Sequence, residues 1–323
     1  MDMYTIILVA LLAVSEGLSL IPCFKSNGIF QFIWNILKKL AGKKVALFWI
    51  GMFALVIAVD LYTGVLMGTS GILFASFTLV GFSETVASED TTELLNAIPD
   101  QHVKTSGDDI IVPELNKLMG YYAIGDTIYA PQLASPSLRS MALIDISPYE
   151  LTDLPVFPPD PIIKGESLIE LDEDESLNAY AQNSEAADAV CRVLVWLSDD
   201  AVGMVSGAIH TIKATTTITA TAEQWSAGSL TLGQSLPTGT YQIVGARCVD
   251  AAGVAFRFVF IGGKWRPGFV CVASEDTHDC KYSRYGMMGV WGSFRHDQVP
   301  SIEVLRNAAG STATIYLDII KTG

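Results

Sequence analysis

Residues 45–59, VALFWIGMFALVIAV, carry no charge, and Lys38, Lys39, Lys43 and Lys44 lie just before them. Such a stretch belongs in a bilayer. Two other apolar runs accompany it, residues 4–22, interrupted by Glu16, and residues 64–82. Runs of about 20 apolar residues cross a bilayer as helices. Between the first two runs, Ile29, Phe32, Ile33, Ile36, Leu37 and Leu40 recur at helical spacing and four lysines follow. That pattern predicts an interfacial amphipathic helix with Trp34 at headgroup level. All five lysines of this region fall between residues 25 and 44, which places the loop on the cytoplasmic side. A signal peptide competes for the first run, but Asp2 stands where positive charge is needed. Glu16 and Asp60 read as acids near a membrane surface or paired with lysine. Residues 1–83 are thus expected to be a membrane-associated helical segment.

The remainder is a different kind of protein. The net charge is −14; residues 1–83 hold five Lys and three Asp or Glu, so the rest carries −16. An acidic body repels nucleic acid, which argues against direct genome packaging. Half of the residues are hydrophobic and 17% charged, too apolar for disorder. The five cysteines, Cys23, Cys191, Cys248, Cys271 and Cys280, are odd in number and irregular in spacing, unlike a disulfide framework. Cys191 and Cys248 sit in apolar strand-like runs and are expected to be buried free thiols, which fits a cytoplasmic assembly site.

Residues 84–110 are polar and acidic and read as a linker or arm. Residues 111–126 suggest a short helix after Pro113, a residue suited to a first helical position. LPVFPPDPII (154–163) has four prolines and reads as an extended crossing between sheets. From there the pattern is β. VCRVLVWLSD is a strand with a buried face, and HTIKATTTITAT (210–221) alternates as a strand with one wet face does. Pro-Thr-Gly and Asp-Ala-Ala-Gly turns separate further strands, and FVCVAS, MMGVWGSFR, SIEVLR and TATIYLDIIK complete eight to ten. The expected fold is mainly β: a jelly-roll-type antiparallel β-sandwich over 111–323, preceded by an N-terminal transmembrane helical region. A single roll is expected, because 84–323 is short for two, and no internal repeat is visible.

Little in the sequence points to chemistry. Cys271, His278, Cys280 and His296 lack the spacing of a zinc knuckle and read as a polar loop. ELDEDE (170–175) lacks the glycine and ligand spacing of a calcium loop and reads as a solvated strand end. Nucleophile-elbow, Walker, H-E-x-x-H and dinucleotide signatures are missing, so no enzyme, cofactor or metal is expected. GGKWRPGF (262–269) stands out: Trp265 and Arg266 beside rigid Pro267 and permissive Gly268, with Tyr282, Arg284 and Tyr285 soon after. Arginine and aromatics together mark protein contacts; the alternative is a turn in which Trp265 covers the end of the sandwich.

In order, VPELNKLM, SPSLR, VLVWLSD, LPTGTYQIVGAR, WRPG, YGMMGVWGSF and IYLDIIK span roughly residues 110–323. In this series the chain resembles major capsid proteins of small tailless bacteriophages known mainly from environmental sequence. The resemblance implies a jelly roll packed edge to edge in a shell, with no enzymatic activity and no cofactor. It implies Pro113 and Asn116 in an N-terminal arm, Trp196 and Trp291 as core or sheet-edge aromatics, and Arg266, Pro267 and Gly268 in an inter-strand loop. LLAVSEGLSLIPCFKSNGIFQFIWNILKKL resembles a small phage membrane protein, here joined to the capsid-like body. The expectation is a virion capsid subunit that self-assembles as a trimer or larger. Residues 4–82 would hold it to an internal viral membrane, and Trp265, Arg266, Pro267, Tyr285, Pro113 and Asn116 are the candidate subunit contacts. The alternative is a membrane-anchored binding module, an adhesin or glycan binder at the cell membrane. Such a module needs its body outside, which a third membrane span would prevent.

Overall fold

The last six residues of the third apolar run, Phe77–Phe82, lie in a buried β-strand and not in a membrane span. The computed structural model describes residues 76–323 except 88–90, 126, 143–145, 148–161, 164–167, 206, 277–279 and 310–311, with backbone alone at 146–147 and 162–163. The first two apolar runs, the amphipathic segment and most of the prolyl crossing lie outside the described residues. Among those described, no helix is long and apolar enough to cross a membrane.

The first half of the fold runs through β1 (Phe77–Val86), β2 (Asp109–Ile111), β3 (Lys117–Ile124), β4 (Ile128–Ser135), β5 (Arg139–Ala142), β6 (Ile162–Ile163), β7 (Ser176–Asn183) and β8 (Ala189–Ser198). The second half runs through β9 (His210–Thr217), β10 (Trp225–Ser229), β11 (Thr240–Val249), β12 (Gly253–Val259), β13 (Gly268–Val270), β14 (Gly292–Arg295), β15 (Ser301–Arg306) and β16 (Thr312–Lys321). Two-residue strands such as Asn96–Ala97 and Thr231–Leu232 extend the edges.

Four sheets result. Sheet I has the order β6-β3-β8-β1 and sheet II β2-β7-β4-β5; sheet III has β9-β16-β11-β14 and sheet IV β10-β15-β12-β13. With each half numbered from one to eight, both repeat the same plan: 1-8-3-6 in one sheet, 2-7-4-5 in the other. The expected single sandwich is therefore corrected to two, each with its own core. The expected helix near 111–126 is corrected as well, because residues 117–124 form β3. Residues 84–110 are not a free linker. They complete β1, supply Asn96–Ala97 beside it, and begin β2.

The reason for these misreadings lies in sheet I. β1 and β8 pair antiparallel from Phe77↔Ser198 to Val86↔Ala189. Alternate residues of this sheet then serve different cores. Val80, Phe82, Val193, Val195 and Leu197 face the core shared with sheet II, whereas Phe77, Leu79, Leu194 and Trp196 join the core of the second sandwich. With both faces covered, period-two alternation disappears and the strand reads as a continuous apolar run. Sheet III is the opposite case. β9 alternates exposed and buried residues because its outer face is wet. Burying Trp196, Phe256 or Phe269 completely stabilises the fold by about 1.5–3 kcal/mol each.

Candidate functional site

Among the described residues, a dense arrangement of polar chemistry lies at the joint where sheet I meets the second sandwich. Arg257 on β12 is inserted among apolar rings, its side chain 1% exposed. Its Nη1 pairs with Asp100 and donates to the Leu79 carbonyl at 3.0 Å, its Nε donates to Glu303 Oε2 at 2.6 Å, and its guanidinium lies 4.1 Å from the centre of the Trp225 ring. A charge so deep is tolerated because its Nε and Nη1 both meet acceptors, two of them carboxylates. Asp100 is held in turn by the N–H groups of His102 (2.7 Å) and Val103 (2.9 Å). Burial pushes the Asp100 carboxyl up, but the Arg257 charge and these hydrogen bonds more than reverse it, leaving it below the ordinary 3.8.

Beside this group, Arg266 Nη1 donates to the Gly263 carbonyl at 2.9 Å, and its Nη2 lies against His102 Nε2. The Arg266 carbonyl accepts from Leu79 N–H at 2.9 Å, and the Trp196 indole N–H donates to the Gly268 carbonyl at 2.9 Å. Gly268 permits the close approach of β13 to β12, because a Cβ there would run into the Phe256 carbonyl. A second tie joins Arg192 on β8 to Glu223 of the second sandwich through Nε at 2.8 Å, and Ser83 Oγ donates to the same carboxylate at 2.6 Å.

The residues singled out from sequence are placed as follows. Arg266 and Pro267 are buried; Arg266 joins the two sandwiches through Thr78 and Leu79, and the Pro267 carbonyl accepts from Phe258 N–H at 2.8 Å. Trp265 is half-buried, capped by Lys264 at 4.3 Å, and lines a groove of about 410 Å³ with Phe77, Phe260 and Trp291. Pro113 and Asn116 are half-buried, and Asn116 Nδ2 donates to the Leu171 carbonyl at 2.8 Å. Tyr285 alone of the six is open, 57% exposed, although its backbone is fixed. It has a left-handed φ of 52°, and its N–H donates to buried Asp318 at 2.9 Å. Arg284 Nε binds the same carboxylate at 2.8 Å. Trp196 and Trp291 are buried in the core.

Cys191, Cys248 and Cys271 are buried free thiols, as the sequence indicated for the first two, and Cys280 is buried as well. His278 lies outside the described residues. Among those described, no group of three or more His, Cys, Asp or Glu side chains is placed to hold a metal ion. The described imidazoles with partners are engaged structurally: His102 with Arg266, and His296 Nδ1 as acceptor from Gly239 N–H at 3.4 Å.

The sequence reading passed over Asp100, His102, Arg192, Glu223, Arg257 and Glu303. A signal for several was present: Arg192 in VCRVLVW, Arg257 in FRFVF and Glu303 in SIEVLR interrupt apolar strands. A charged residue inside such a run implies a buried partner. Compared with known proteins, the chain matches no protein-family model and no curated protein.

Proposed function

We propose that the chain is a virion structural protein, a capsid subunit built from two tandem jelly rolls that self-assembles into a shell. One observation carries the reading. Each sandwich has the order 1-8-3-6 against 2-7-4-5. This is the double Greek key of a jelly roll, a fold common in shells and in some binding domains. The buried ionic and aromatic joint supports a single rigid building block, as a shell tile requires. A trimer of such chains would bring six similar sandwiches around one axis. The engagement of Arg266 and Pro267 inside the chain leaves Tyr285, Met204 and Ile261, all exposed, as better candidates for subunit contact. The apolar runs and lysine loop of residues 1–63 support an anchor in an internal viral membrane.

The test is the mass of the purified full-length chain by light scattering, with electron microscopy of the same sample. Trimers or closed shells, weakened by Tyr285→Ala without loss of stability, are expected. A monomer at high concentration would overturn the reading and favour an anchored binding module.

A further inference from the structure

Asp100 and His102 lie on one turn of the first sandwich, between Asn96–Ala97 and Thr105–Ser106. The second sandwich meets that turn with Arg257 from β12, Glu303 from β15 and Arg266 just before β13. Four charges act on the imidazole, those of Arg266, which touches it, and of Asp100, Glu303 and Arg257 around it. Two guanidiniums and two carboxylates cancel only while the imidazole is neutral. Neutral Nε2 can accept a hydrogen bond from Arg266 Nη2, which lies against it; a protonated ring has two donors and nothing to offer an arginine.

We propose that His102 is a proton-operated latch between the two sandwiches. Neutral, it accepts from Arg266 and holds the 99–103 turn to the second sandwich. Protonated, it opposes Arg266, gives the cluster one excess positive charge, and loosens the turn around the Asp100–Arg257 pair that still ties it to the second sandwich. Burial and the Arg266 charge keep the imidazole below its ordinary 6.5, Asp100 and Glu303 opposing them only in part. The contribution of His102 to holding the joint is therefore present above about 6.5 and lost as pH falls through the depressed value. Asp100 remains ionised over that range, so its pairing with Arg257 persists. The packing of Trp196 on Phe269, with ring centres 5.4 Å apart, contains no titrating group, so the loosening is local. This latch does not depend on the chain building a shell.

The test is hydrogen exchange on the full-length chain in mild detergent, at neutral pH and at about pH 5, corrected for intrinsic rates. Protection over residues 95–104 should fall by up to about tenfold for each unit by which the folded imidazole lies below 6.5. Peptides from β11 and β16 should not change, and His102→Gln, whose amide stays neutral, should keep its protection. Equal loss in His102→Gln, no loss in the wild type, or parallel loss in β11 and β16 would each overturn the latch. Should His102→Gln fail to fold, titration of the wild-type imidazole by NMR decides: a value at or above 6.5 excludes the mechanism.

Discussion

Arg257 and Asp100 form an ion pair across the joint, with side chains 1% and 2% exposed, so two sandwiches from distant parts of the chain share one buried charge pair. Removing one member of such a pair leaves the other uncompensated, at a cost of about 3–5 kcal/mol. Asp100→Ala should fall in the lower part of that range, because Glu303 still binds Arg257 Nε. Urea unfolding of residues 74–323 measures it. A change of less than about 1 kcal/mol would mean that the joint does not rely on this pair.

The same carboxylate should leave a signature in acid. Its value is depressed, so its stabilising effect is complete above the ordinary 3.8 and disappears as pH falls through the folded value. Stability of the wild type should therefore drop more steeply below about pH 4 than that of Asp100→Asn. Parallel curves for the two proteins would remove Asp100 from the acid response.

The two obvious truncations should behave differently. A fragment starting at residue 84 lacks Phe77–Ser83, most of β1, and opens both cores at once. A fragment starting at Phe74 retains the whole compact unit. Circular dichroism and thermal melting should show a cooperative β-protein for 74–323 and an aggregating or unfolded chain for 84–323. A stable 84–323 fragment would contradict the central position of β1.

Gly268→Ala should destabilise by about 3 kcal/mol, the upper part of the range for overpacking, because the added methyl meets the Phe256 carbonyl and not a side chain that can move. Gly262→Ala makes a suitable comparison. Nothing lies within 4 Å of its added carbon, so only its left-handed backbone, φ 75°, resists. Chemical denaturation of both variants tests the order; equal losses would point to backbone strain alone.

The thiols should be inert in the native protein. Burial pushes Cys191 up to about 12, with Arg192 pulling weakly the other way, and burial together with Cys248 raises Cys271. The thiolate is the reacting species. In Cys23→Ser, maleimide should label none of the four buried cysteines until denaturant is added. Stoichiometric labelling of the folded chain would show that these strands open readily.

Strand segments with one wet face could be read directly. HTIKATTT alternates along β9, and TATIYLDIIK appears as β16, because a half-exposed strand writes its two faces into neighbouring residues. The joint was much less legible. His102 and Asp100 lie in a polar stretch that looks like a linker, and Arg266 looks like a surface contact until β1 is placed beside it. Their roles depend on partners up to 188 residues away, as Arg266 is from Thr78.

The sequence by itself determined the β-class of the body, its acidity and the burial of Cys191 and Cys248, since these follow from composition and local periodicity. Only the tertiary structure decided that Phe77–Phe82 is a strand, that there are two sandwiches of one plan, and that Arg266 points inward. The physical reason is common to all three. An apolar run records that both of its faces are covered but not what covers them, and strand order is set by long-range pairing that leaves no local pattern.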